Sequence, residues 1–306
     1  MKTPEVNVKA RGKGRLVPLL CLLSGGLLFG LSSNLAKVAG ELGLPPLAFL
    51  CWSIIGAALI LLVISALRRN LPPINRRTIE YYSVSALVGV AGSNLIFFSA
   101  IPQIGASFVA LIIALPPLLT YVGALAFRLE RFQLIRAAGV AAALAGAAVL
   151  AGRELSAPHP DKFWILLALT GPVLLAIGNL YRTMRWPPNA SADALAPGML
   201  IAAAVILLGA GFLPEFSLAV PMDRSPPIIL IVIQAIIFAG QFLLLFLLQK
   251  TGWPVFLSLL GAVAAVVAVP VAIFLQGEAP PKGLFWGAVL IGAGITLLSI
   301  GKARAE

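Results

Sequence analysis

Side chains that can hydrogen-bond or carry charge are scarce inside the long apolar runs of this chain, and their types set the chemistry open to it. The first run holds Ser32, Ser33, Asn34 and Lys37, and the third holds Ser93, Asn94 and Ser99. The fourth holds Thr120 and Tyr121, the sixth Asn179, Tyr181 and Arg182, and the eighth Gln234 and Gln241. Asn34 and Lys37 are three residues apart, and Gln234 and Gln241 seven, so each pair shares one helix face. Amides and hydroxyls grip a polar solute by giving and taking hydrogen bonds. Proton abstraction needs a base, and no Asp, Glu or His stands in the middle of a run; the single histidine, His159, is in a connecting stretch. Neither a GxSxG, an HExxH nor a P-loop pattern occurs. Cys21 and Cys51 lie inside apolar runs without a CxxC or a nearby His, which reads as packing filler and not as a zinc site or disulfide. The chemistry expected is binding and passage, without catalysis, metal or cofactor.

Three further features bear on passage. Pro116 and Pro117 lie midway along the fourth run. Each removes a helical hydrogen bond and leaves a carbonyl without its donor. Such carbonyls near the bilayer midplane can hold substrates or ions; a packing kink is the other reading. Lys37 and Arg182 read either as gating or anion-attracting cations, one at each mouth of a cavity, or as snorkelling side chains. Glu130 and Glu278 close the fourth and ninth runs, where ion pairing with Arg131 or Lys282 at headgroup level is the preferred role.

The elements that must position these residues follow from composition. Of 306 residues 60% are hydrophobic and 11% charged, against roughly 25% charged in a soluble domain. The mean hydropathy is +1.02. A spanning helix needs about 20 apolar residues. Ten stretches qualify: Leu16–Val38, Pro46–Ala66, Ile79–Ile101, Ala106–Phe127, Gln133–Gly152, Phe163–Met184, Ala194–Leu213, Pro227–Leu248, Pro254–Leu275 and Gly283–Ile300. The runs are continuous and do not alternate, which predicts helices and not barrel strands. The first follows Lys9, Arg11, Lys13 and Arg15 but is too long for a signal peptide, so it is expected to stay as a helix.

The net charge of +11 sits in clusters between the runs, a pattern of lipid headgroup contact and topology and not of nucleic-acid binding. The N-terminus, the even-numbered loops and the C-terminus carry 17 of the 22 Lys and Arg; the exceptions are Lys37, Arg153, Lys162, Arg224 and Lys282. Both termini are therefore expected in the cytoplasm.

The chain also repeats. A shift of 148 residues places Glu130 on Glu278, Gly139 on Gly287, Gly146 on Gly294 and Gly92 on Gly240. A shift of 145 places Asn34 on Asn179 and Lys37 on Arg182. Each half then has five helices, and five being odd, the second half enters from the opposite side. The fold class expected is an all-α integral membrane protein of ten transmembrane helices in an inverted 5+5 repeat, a plan suited to alternating access. Its parts are a basic cytoplasmic segment 1–15, a first repeat 16–152, a second repeat 163–301 and a tail 302–306. Gly139, Ala143 and Gly146, with Ala288 and Gly292, offer small faces for close helix packing or, alternatively, a homodimer contact.

With this order of elements the sequence resembles the drug/metabolite transporter superfamily, specifically its EamA-type permeases. The first half carries FFSAIPQIGASFVALIIALPPLLTYVGALAFRLERFQLIRAAGVAAALAGAAVLAG, with Pro117, Glu130, Gly139 and Gly146 at the positions of that pattern. The second half repeats it in FLSLLGAVAAVVAVPVAIFLQGEAPPKGLFWGAVLIGAGITLL, where Pro270 lies further along than a match to Pro117 would. Phe29-Gly30 stands for the usual Trp-Gly, and Trp52 for a common Arg of the second helix. The resemblance implies movement of a small metabolite, amino acid or drug-like compound across the inner membrane, often outward, through a cavity lined by the first, third, fourth, sixth, eighth and ninth helices. The expected partners are a small-molecule substrate and membrane lipids. A lipid flippase on the same fold and a non-transporting membrane subunit are the alternatives.

Overall fold

The computed structural model describes residues 8–128, 131–155, 162–188, 190–220, 225–250 and 254–303. Among them every regular element is helical, as lipid requires, because hydrocarbon offers backbone N–H and C=O groups no partner. The elements are α1 (Val8–Glu41), α2 (Pro46–Leu67), α3 (Arg76–Ala86), α4 (Ser93–Ile104), α5 (Ala106–Ile113), α6 (Pro116–Ala126) and α7 (Leu134–Leu155). After them come α8 (Lys162–Met184), α9 (Ala192–Ala210), α10 (Ser225–Lys250), α11 (Pro254–Pro270) and α12 (Leu284–Ala303). A π-helical stretch, Leu87–Gly92, joins α3 to α4, and a second, Val271–Leu275, extends α11.

Among the described residues eight spans are long and apolar enough to cross a membrane, and Leu260–Leu275 and Leu284–Leu297 are shorter apolar helices. Together they give ten crossings in a multi-pass membrane protein. The third crossing is α3, the π stretch and α4; the fourth is α5 and α6. Large apolar side chains face outward from them, among them Val63, Val205, Val266 and Phe274, each more than half exposed. Such a surface is stable only against lipid.

Helix ends depart from the apolar runs where polar residues supply a cap or continue the helix. α3 starts three residues before the run, at Arg76, because Asn75 and Thr78 form a capping box: Thr78 N donates to Asn75 Oδ1 at 3.0 Å and Asn75 N to Thr78 Oγ1 at 2.9 Å. α1 likewise extends back through the basic stretch from Val8. The edge of the hydrocarbon ends the apolar run without ending the helix.

The principal packing pairs have a pattern. The first crossing packs on the eighth and ninth, and the sixth on the third and fourth. The second packs on the seventh and eighth, the third on the seventh, and the fifth on the tenth. Advancing each number by five, and counting on from ten to one, returns the same set. We call the face where α1 begins and α12 ends the near face, and the opposite one the far face. At the near face Asn70 Nδ2 donates to Ser191 Oγ at 2.6 Å and Asp193 Oδ2 at 2.9 Å, tying the end of α2 to the start of α9.

The fifth and tenth crossings meet through small residues. A Cβ on Gly146 would lie 2.8 Å from the Gly287 carbonyl oxygen, and one on Gly294 would collide with Gly139 and Ala143. These glycines serve contact inside one chain. Gly292 faces open space and takes no part, which corrects its assignment to a packing face. Gly146→Leu should therefore cost roughly 1–3 kcal/mol by overpacking and lower the unfolding temperature in detergent, whereas Gly292→Leu should leave it unchanged. Equal unfolding temperatures for the two variants would refute this account of the α7–α12 contact.

Candidate functional site

A cavity of about 90 Å³ lies inside the near half of the bundle. Phe29 of α1, Gly89 and Asn94 of the third crossing, and Leu260 and Gly261 of α11 form part of its wall. The fourth crossing adds Ile113, Pro116, Pro117 and Thr120; α8 adds Asn179, Arg182 and Thr183; α10 adds Gln241, Phe242 and Leu245. The first, third, fourth, sixth, eighth and ninth crossings all contribute.

Local sequence explains each wall. α5 stops at Ile113 and α6 restarts at Pro116, so the prolines occupy the first helical positions, where a missing N–H breaks no bond. The two-residue step at Ala114 and Leu115 donates back to Leu111 and Ile112. The helical donors to the Ile113 carbonyl would be residues 116 and 117, both prolines with no N–H to give. That carbonyl points at α11, where a Cβ on Gly261 would collide with it. In the third crossing the π stretch sets Gly89 against Gly178 of α8: a Cβ on Gly178 would lie 2.8 Å from the Gly89 Cα. Asn94, just beyond, donates from Nδ2 to Val90 O at 2.8 Å.

The residues singled out from sequence divide between this cavity and other places. Asn94, Asn179, Gln241, Arg182, Pro116 and Pro117 border it. Arg182 is 1% exposed, so it does not snorkel. Its Nη2 donates to Asn179 Oδ1 at 2.6 Å.

Four expected binding residues lie off the wall. Tyr121 turns toward α7: its hydroxyl accepts from Gln133 N at 3.1 Å, and the Arg136 guanidinium sits 3.9 Å from its ring centroid. Gln234 ties α10 to α1, donating to Ser32 Oγ at 2.5 Å. Ser93 is fully buried behind the wall. Asn34 lies in the far half, where its Nδ2 donates to Gly30 O at 3.0 Å and Ala268 O at 3.2 Å. For Tyr121, Gln234 and Asn34 a backbone or side-chain partner on a neighbouring element claims the polar group, whereas the Ser93 hydroxyl is buried without a partner among the described residues.

Lys37 also belongs to the far half, in a cluster that spacing did not suggest. Its Nζ is 3.3 Å from Glu278 Oε2, with both side chains mostly buried. The same carboxylate accepts from Ala106 N at 2.9 Å and Ser107 N at 3.0 Å, and from the Ser107 hydroxyl. It thus caps the N-terminus of α5, where unpaired N–H groups and the helix dipole favour a negative charge. Glu278 therefore does not serve at headgroup level with Lys282 as expected. The π stretch and Gly277, at φ +64°, turn the chain back into the bundle, and Glu278 N donates to Ala272 O at 2.9 Å. Gln276 closes the same end, donating to Asn34 O at 3.0 Å. Glu130 and His159 lie outside the described residues.

The model of the EamA-like transporter family matches residues 16–152. The matched residues span the first five crossings. The EamA-like match and the ten crossings support a membrane transporter of the drug/metabolite type. No curated protein matches the chain, whereas 28 chains of solved structures do. One, described as "Crystal structure of protein", is similar with a TM-score of 0.63 over 95% of this chain and 99% of its own, at 18% identity. That likeness shows a shared fold over nearly the whole chain.

Gly105 precedes α5 at φ +88° and ψ 153°, a region open essentially to glycine, and a Cβ there would collide with the Glu278 carboxylate. Gly105→Ala should thus destabilise by about 1–3 kcal/mol and more than Gly43→Ala, where φ is +75° but nothing lies within 4 Å. Thermal unfolding of both variants in detergent checks the order; a Gly43→Ala loss as large as that of Gly105→Ala would contradict the role given to Glu278.

Proposed function

We propose that the protein exports a small polar metabolite, amino acid or drug-like compound across the inner membrane by alternating access. The moving parts in this reading are two inverted five-helix halves, residues 16–152 and 163–301. One observation carries it: the far face is held by Lys37, Glu278 and the α5 N-terminus, while the polar cavity occupies the near half and reaches Thr183 at the end of α8. A conduit sealed at one end and hollow at the other is one of the two states that alternation needs.

The packing set that returns to itself when advanced by five supports the exchange, because each of these principal pairs has a counterpart five crossings on. Asn34 is the repeat mate of Asn179, and Lys37 of Arg182. In the opposite state Asn34 would border the cavity and Asn179 would join the closed end. The Lys and Arg distribution supports a cytoplasmic near face in this reading. Substrate then enters from the cytoplasm in this conformation, Asn94, Asn179 and Gln241 supply hydrogen bonds, and release follows opening of the Glu278 cluster.

Glu278→Gln keeps the shape but removes the charge, weakening the far closure by about 1–3 kcal/mol. In a background lacking Cys21 and Cys51, single cysteines at Ala268, buried at the far closure, and at Thr183, exposed at the near end, report each face. The Glu278→Gln change should raise maleimide labelling at Ala268→Cys and lower it at Thr183→Cys. Labelling that rises at the far site with no fall at the near one would argue against alternation between the halves.

A further inference from the structure

We propose that Arg182 is the receptor for a carboxylate on the transported molecule, so that the substrate is a small monocarboxylate carrying a hydrogen-bond donor nearby. This rests on the transporter reading above and names the chemistry of its cavity.

The guanidinium is 1% exposed inside a membrane-spanning bundle. An arginine cannot shed its charge, and at 1% exposure this one is cut off from water although it stands in the last turn of α8. Buried charges are therefore normally paired. Here only Nη2 has a partner, Asn179 Oδ1, while Nε and Nη1 have no acceptor among the described residues. No Asp or Glu occurs among the described residues that line the cavity. The chain nevertheless makes room for this cation. Gly89, in the π stretch, and Gly178 pack backbone to backbone, and a Cβ on Gly89 would strike the Arg182 Nη1. A charge set in a notch, oriented by a neighbouring amide and short of acceptors lacks one component, an oxyanion.

The surroundings narrow the class. One guanidinium balances one negative charge, which suits a carboxylate better than a phosphate ester dianion, and its planar fork matches carboxylate geometry. Gln241 Oε1 and Thr120 Oγ1 are buried without partners, and both residues border the cavity. They are acceptors for a hydroxyl or N–H of the same ligand. A volume of about 90 Å³ equals the share of about three waters in the liquid, enough for a carboxylate and a short polar stub.

The test is thermal unfolding of the purified full chain in detergent, titrated with lactate, glycolate, acetate and propionate, each paired with its primary amide at equal ionic strength. Carboxylates should raise the unfolding temperature of the wild type, hydroxy acids most, and amides should not. Arg182→Gln should weaken apparent carboxylate affinity tenfold or more, since a charged hydrogen bond is worth about 1.5–3 kcal/mol, and Arg182→Lys should fall between. Equal stabilisation by acid and amide, absence of any shift with all four acids, or wild-type affinity in a monodisperse Arg182→Gln protein would each overturn the proposal. The acid–amide contrast needs no variant, so it decides even if Arg182→Gln fails to fold. Counterflow in proteoliposomes separates this idea from the transporter reading. Binding of acids without their flux would sink the transporter reading and leave the site; flux of the amides alone would sink the site and leave the transporter.

Discussion

Hydrocarbon cannot hydrogen-bond, and nearly every feature of this molecule answers that fact. A backbone surrounded by lipid must satisfy itself, so the described elements are helices. The same rule acts on side chains. Many polar groups within the crossings find a backbone carbonyl, a partner on another helix, or the cavity, while the Ser53, Ser85 and Ser93 hydroxyls are buried without a partner among the described residues. Gln234 takes Ser32, Asn34 takes Ala268, and Tyr121 takes Gln133. Where the chain breaks its own ladder, at Pro116 and Pro117, it does so beside the cavity and opposite Gly261. The breaks are tolerated because protein, and not lipid, surrounds them.

The charges obey a stricter form of the rule. Lys37 and Glu278 neutralise each other while the carboxylate also collects two backbone N–H groups and a hydroxyl. Arg182, its counterpart in the repeat, keeps a single amide partner. Two cations at equivalent positions of the sequence thus stand in opposite electrostatic situations, one saturated and one short of acceptors. That contrast, more than the count of polar residues, distinguishes the two ends of the bundle.

The crossings were legible because lipid imposes a length and a composition that few sequences meet by accident. Their ends were not, since Asn75 caps a helix whose first turn is basic, and α1 continues through Lys9–Arg15. For the site, the contributing crossings and the wall residues Asn94, Asn179 and Gln241 could be read from polar types in apolar runs. That Tyr121, Gln234, Ser93 and Asn34 lie off this wall was not legible, because a polar residue inside a span can turn to several neighbours and spacing does not say which. The Lys37–Glu278 pair was hidden for a related reason. It joins the first crossing to the end of the ninth, and only the turn at Gly277 aims the carboxylate inward. Gly105 before Ala106-Ser107 was the available signal, a glycine and a hydroxyl at a helix start.

The α5 cap has a consequence for how the carrier spends its time. Under the shift of 148 residues, Ala106 falls on Pro254 and Ser107 on Val255. Proline brings no N–H and valine no hydroxyl, so the opposite end cannot rebuild the donor set that Glu278 enjoys. In the alternating-access reading proposed above, the two shut forms would then sit in wells of unequal depth. Such a carrier would have a resting posture with its pocket toward the near face, and each cycle would climb out of the deeper well before falling into the shallower one.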